Sequence, residues 1–191
     1  STSSVAARDA YLAGVDSLMA ATPGMDTAFQ ASVEADDGFA LGHISLARAK
    51  QLLGRGHEAK APLVRAKELA AGTTAREQSQ IAIFDKILTG QGMAALDAIH
   101  EHMKSWPRDA MALAPATSVF GLIGFSGKVG REVDQLAILE PFEKHYGDDW
   151  WYRTQLAFAQ IELSKLDDGE RNIEKALAGY PRSAHAAHIR G

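Results

Sequence analysis

Small residues and prolines recur along this chain at a nearly fixed interval, and that interval limits what the chain can fold into. Ala59 and Ala95 stand 36 residues apart (95 − 59), and Pro107 and Pro181 stand 74 apart (181 − 107), two steps of 37. Between these marks the apolar residues follow a helical period, and extended runs of strict alternation are missing. Turn chemistry punctuates the pattern at Thr22-Pro23-Gly24, Gly54-Arg55-Gly56, Gly90-Gln91-Gly92 and Gly127-Lys128. Trp106-Pro107 and Tyr180-Pro181 mark helix ends, because proline disfavours helical geometry in the residue before it. Asp109, Asp148 and Ser183 are the expected N-caps of the helices that follow.

This punctuation predicts helices over 5–21, 25–35, 39–53, 57–71, 75–90, 93–105, 109–125, 129–146, 149–165 and 167–179, with one more starting near 183. A helical hairpin repeated about every 34 residues is the tetratricopeptide unit, whose inner positions are small so that two helices approach closely. The second hairpin carries Leu46, Ala47, Gly54, Ala59, Leu63 and Ala66 in that arrangement. The third carries Ala82, Ile83, Gly90, Ala95, Ile99 and Pro107, and the fifth Leu156, Ala157, Gly169, Ile173, Ala176, Leu177 and Pro181. The first and fourth fit less well, and Glu132 stands in the fourth where a small residue is expected. The expected fold is all-α: a right-handed α-solenoid of about five antiparallel hairpins plus the start of another helix, one tetratricopeptide-like domain over 1–191. Solenoids close on a helix with a polar outer face, whereas Ala184, Ala186, Ala187 and Ile189 look like packing residues. The expectation is therefore the N-terminal part of a longer solenoid, with an apolar C-terminal helix face open to self-association.

Composition excludes several functions. Hydrophobic residues at 46% and charged residues at 23% are ordinary for a globular chain, which argues against wholesale disorder. A net charge of −4 gives no general attraction to nucleic acid or to an anionic membrane. The absence of cysteine removes disulfides, thiolate metal sites and cysteine nucleophiles, and fits a cytoplasmic setting. No apolar run approaches the roughly 18–20 residues of a membrane-spanning helix. Ser1-Thr2-Ser3-Ser4 lacks the basic and apolar regions of a signal peptide.

Several segments carry a family resemblance in their shared order. They are Asp36-Asp37-Gly38-Phe39 with Gly42-His43, then Arg76-Glu77-Gln78, then Trp106-Pro107-Arg108-Asp109 with Ala112-Leu113, then Pro141-Phe142, and last Pro181, Ala184 and His188. Over residues 27–191 these resemble the tetratricopeptide repeat protein 38 family, with its D-P-x-F-x-x-G-H, R-E-x, H-P-x-D-x-x-A-L, P-F and P-x-x-A-x-x-x-H runs. Asp37 replaces the proline of the first run. In the family the last run continues to a second histidine four residues on, so the resemblance implies histidine directly after Gly191. It also implies helical repeats in a longer protein, and it brings no established reaction.

Among the candidate chemical residues, His185 and His188 are three apart on one helix, a spacing that can bind zinc, copper or iron. The alternative is polar residues at a repeat interface. His43 either lines a groove or is a core-edge histidine satisfied by backbone. His100 and His102, two apart, point to different faces, and His57 and His145 read as turn and helix-end residues. Asp148-Asp149-Trp150-Trp151-Tyr152 is read either as two acids complementing a helix dipole ahead of packed aromatics, or as a binding platform. Gly121, Gly124, Gly127 and Gly130 recur every three residues but lack the G-x-x-x-x-G-K-[ST] pattern of a phosphate loop. No nucleophile elbow, acid–base pair or cofactor motif stands out.

The leading expectation is an interaction module that holds a peptide or partner helix in a groove formed by its first helices. Candidate groove residues are His43, Arg48, Lys50, Gln80, Lys86, Trp150, Trp151, Arg153, Gln155 and Gln160. The rival is part of a metal-dependent or histidine-using enzyme, with His185 and His188 as ligands and most of the site beyond residue 191.

Overall fold

The computed structural model describes residues 1–117 and 120–191, and among them every regular element is helical. In chain order the α-helices are α1 (Val5–Ala20), α2 (Met25–Ala35), α3 (Ala40–Leu52), α4 (Lys60–Ala70), α5 (Ala75–Leu88) and α6 (Gly92–Ser105). After them come α7 (Ala110–Leu113), α8 (Arg131–Leu139), α9 (Glu143–Tyr146), α10 (Trp150–Glu162), α11 (Leu166–Gly179) and α12 (Ala184–Arg190). Two compact units result, one of Ser1–Leu18 with Thr22–His102 and one of Met19–Ala21 with Met103–Gly191.

The first unit is built from hairpins whose helices approach closely for identifiable reasons. At Gly14 any Cβ would stand 2.6 Å from the Phe29 ring, so only glycine lets α1 lie on α2 there. Ser32 Oγ ties the same pair by donating to the Ala7 carbonyl at 2.9 Å. Phe29 and Val33 of α2 then pack with Leu46 and Ala49 of α3. Helix α3 lies against α4, where Ala59 and Ala66 are buried as the repeat pattern requires. The expected start of this second helix at 57 moves to Lys60, because Glu58 and Ala59 first close turns onto the Arg55 and Gly56 carbonyls. Helix α5 opens on a reciprocal cap, with the Thr74 side chain accepting from Glu77 N–H and Glu77 accepting from Thr74 N–H. Its Ser79 hydroxyl shares a 2.9 Å hydrogen bond with His102 Nδ1 of α6. Helix α5 also packs directly on α3, first helix against first helix.

In the second unit, α10 and α11 make the tightest hairpin. A Cβ at Gly169 would meet Ile161 Cγ1 at 2.5 Å, so this glycine sets the separation of the two helices. Ala157, Ile173, Ala176 and Ala186 form one buried cluster there, with Ile189 of α12 packed on it. Asp149 caps α10 by accepting from Tyr152 N–H at 3.1 Å, one residue later than the expected Asp148. Asp109 and Ser183 cap α7 and α12 as expected.

The fourth hairpin departs from the expected pair. The helix expected over 109–125 stops after one turn at Leu113, continues as a 3₁₀ turn over Ala114–Ala116, and leaves helical geometry at Thr117 (φ −95°, ψ 169°). Pro115 has no N–H to continue the ladder and its ring crowds the preceding turn. Positions 118 and 119 of that expected helix lie outside the described residues. A second 3₁₀ turn, Gly124–Ser126, ends at Gly127 with φ 69°. The helix expected over 129–146 is divided by Pro141 into α8, a 3₁₀ turn over Glu140–Phe142, and α9.

Candidate functional site

The first helices α3, α5 and α10 carry the candidate groove residues, and the structure separates these into three kinds. Residues 40–47 of α3 are all buried, so His43 is packed inside. Its Nε2 lies 2.9 Å from the Asp37 backbone carbonyl, which is the backbone-satisfied arrangement. Asp37 in turn holds Arg65 at 2.5 Å, and that guanidinium keeps its carboxyl below the usual range.

Past this buried stretch the last turns of α3 become half-exposed. Lys50 is neutralised by Glu58 at 3.1 Å. Arg48 is different. It donates to Gln51 Oε1 at 2.5 Å, no acid pairs with it, and burial alone pulls its pKa down to about 10. The guanidinium thus stays charged at neutral pH, with its desolvation uncompensated by an internal carboxylate.

On α5, Gln80 is fully buried, and neither its Nε2 nor its Oε1 has a hydrogen-bond partner. Ser45 Oγ on α3 is likewise buried and unpaired. Lys86 is half-buried in the last turn of α5, where a cation complements the helix dipole.

On α10 the residues expected in a groove are largely committed to packing. Trp151 is 4% exposed and lies beside the Tyr146 ring of α9, so it presents no platform. Tyr152 is buried against Tyr146 at a 4.9 Å ring separation and donates its hydroxyl hydrogen to the Leu139 carbonyl. Burial raises the pKa of both tyrosines well above the ordinary value. Trp150 is half-buried and stacks on Tyr180. Arg153, 8% exposed, is held through its two terminal nitrogens by Glu143 at 2.8 Å, Asn172 Oδ1 at 3.0 Å and Asp148 at 3.2 Å, while its Nε has no partner. Gln160 accepts from Asn172 Nδ2 at 2.8 Å. Gln155 is buried, its Nε2 lies 3.3 Å from His185 Nδ1, and its Oε1 is unpaired.

His185 and His188 follow on α12. His185 is half-buried and its pKa is lowered first by desolvation and then by His188, which is exposed. Among the described residues no group of three or more His, Asp or Glu side chains converges to hold a metal ion. His102 is buried and His100 exposed, as their two-residue spacing predicts.

Sequence reasoning missed Ser45, Asn172 and the Thr74–Glu77 cap. The last was readable as a T-x-x-E run at 74–77. Ser45 and Asn172 had no sequence signal, because the partners and burial that define them come from other helices.

No protein-family model and no curated protein matches this chain. Among solved structures the chain is similar to YrrB, described as a tetratricopeptide-repeat (TPR) protein with an unusual peptide-binding site, at 14% identity and a TM-score of 0.47, covering 98% of this chain and 91% of that one. The all-helical hairpin architecture stands on this chain's own geometry. Among the described residues no helix is long and apolar enough to cross a membrane.

Proposed function

We propose that the chain is a tetratricopeptide-type interaction module that binds a peptide or partner helix along its first helices, in a cytoplasmic setting. One observation carries this reading. The buried side-chain atoms without a partner among the described residues are Ser45 Oγ, both amide atoms of Gln80, Tyr146 Oη, Arg153 Nε and Gln155 Oε1. All but Tyr146 lie on α3, α5 or α10, and none lies on α4, α6 or α11. Each such group costs about 1–3 kcal/mol, so a stack selected for stability alone would carry apolar residues there. Polar burial of this kind marks the first helices of each unit, and the closing turns of α3 and α10 bring Arg48, Lys50 and Gln160 to solvent, which supports a ligand-facing side on those helices. The ordered segments between Asp36 and His188 support placing the chain beside the tetratricopeptide repeat protein 38 family.

The test is display selection of random 12-residue peptides on the purified chain, followed by hydrogen exchange on the complex. Protection confined to α3, α5 or α10 is the expected result. Arg48→Ala, in a turn that meets solvent, should weaken the peptides that protect α3 at least about fivefold, whereas Gln80→Leu, at a fully buried position, should raise thermal stability and leave their binding unchanged. Failure to select any peptide, or protection on the second helices, overturns the reading.

A further inference from the structure

We propose that the cavity at the opening of α5 is a binding site for the free amino terminus of a polypeptide that begins with small hydroxyl residues. Glu77 receives the α-ammonium there, and Asp36 receives the second side chain. The proposal does not depend on the first-helix face described above.

Glu77 does more than cap its helix. Its Oε2 accepts from the Thr74 N–H at 2.9 Å and from the Thr74 hydroxyl at 2.8 Å. Its Oε1 is not needed for the cap and faces a cavity of about 400 Å³, which Gly38, Leu69, Gly72 and Thr73 also line. That oxygen accepts from the Ser1 α-ammonium, and from the Ser1 hydroxyl at 3.0 Å. The Glu77 side chain is 5% exposed and that of Ser1 77% exposed, so the carboxylate is reached from solvent through the place that Ser1 holds. Burial pushes the Glu77 pKa up, but the ammonium and the Thr74 donors outweigh it and hold it at about 2. A cation is out of place at the positive end of a helix, so the ionised carboxylate carries this contact.

The contacts read the first two residues of the occupant. The ammonium and the hydroxyl of one serine converge on one carboxylate oxygen. The Thr2 hydroxyl donates to Asp36 Oδ2 at 2.5 Å, and the Ser4 N–H closes the turn onto Thr2 Oγ1 at 3.0 Å. A lysine ammonium ends a long stem with no hydroxyl beside it and cannot repeat the first pair. Two carboxylates also repel an end that carries an acid. Capture of an amino terminus is a recognised mode of peptide binding. Here the chain's own first residues display it in cis, and a second terminus of the same chemistry meets the same groups once they are vacated.

The test uses the full chain prepared with an acetylated amino terminus, which removes the competing ammonium. The probe is the peptide amide Ser-Thr-Ser-Ser, followed by backbone amide chemical shifts. Saturable shifts at residues 36–38 and 73–78 are expected. Acetylating the probe should weaken binding at least about tenfold, because it removes the charge. Glu77→Gln should weaken the free-amine probe equally while α5 stays capped, since glutamine also serves a capping box. Unchanged amide protection in the first turn of α5 separates loss of the site from loss of the fold. Asp36→Asn should cost less, about threefold. The unacetylated chain should bind the probe more weakly than the acetylated one, because its own Ser1 competes. Equal affinity for free and acetylated probes, shifts confined to other segments, or no binding up to about 10 mM probe overturns the inference.

Discussion

Trp150 and Tyr180 stack face to face, with ring centroids 4.4 Å apart and planes 21° from parallel. The first residue of α10 is thereby fastened to the residue that ends α11, and Arg182 covers the Tyr180 ring at 5.4 Å. Trp150→Ala should lower stability by about 1–3 kcal/mol, less than a fully buried tryptophan because the ring is half-exposed. A double-mutant cycle with Tyr180→Ala in urea titrations should return a coupling of about 0.5–1.5 kcal/mol. Strict additivity of the two substitutions would show that the stack contributes nothing beyond burial.

The α10–α11 separation is set by Gly169. Alanine there gains up to about 1 kcal/mol of helix propensity, but its Cβ would stand 2.5 Å from Ile161 Cγ1 and 3.3 Å from the Ala157 carbonyl. Overpacking costs about 1–3 kcal/mol, so the net expectation is a loss of about 1 kcal/mol in chemical denaturation. Ile161→Ala should recover part of it. A Gly169→Ala protein at least as stable as the wild type would mean that the helices separate freely.

Helix α5 depends on its reciprocal cap. Thr74→Ala removes the acceptor for Glu77 N–H and should cost about 1 kcal/mol, whereas Thr74→Ser should cost little. Amide exchange in the first turn of α5 reads the effect locally: protection should drop in the alanine variant and persist in the serine variant.

The acid response of the second unit should involve His185. Burial and then His188 hold its pKa below the ordinary 6.5. In the window from about 6.5 down to the lowered value, the unfolded chain binds the proton and the folded chain does not, so stability falls as pH falls. Above that window the contribution is constant. The thermal midpoint of His185→Gln should therefore decline less between pH 7.5 and 5 than that of the wild type. Equal declines would remove His185 from the account.

What the sequence made legible depends on how local the cause is. The second, third and fifth hairpins follow from Gly54, Gly90, Pro107 and Pro181, whose backbone effects act on adjacent residues. Pro115 and Pro141 act just as locally, but the apolar period runs through them and favoured two longer helices than the chain forms. Asp148 and Asp149 are chemically alike as caps, so only the backbone at Asp149 decides between them. The candidate groove was harder to read. Arg153 looks like a surface cation until Glu143 and Asn172, distant in sequence, are brought to it. Gln80 looks solvated until α3 packs on α5. Periodicity describes one helix at a time, and polar burial is a property of several.

Residues 40–47 and 151–157 are buried without interruption. A change anywhere in those stretches is felt first by packing, so the chain has little freedom there to acquire new ligand preferences. That freedom lies in the closing turns of the same helices, where Arg48, Lys50 and Gln160 meet solvent. Diversification, whether by natural drift or in a designed library, is best confined to those turns, where recognition can be rewritten on an architecture that does not notice.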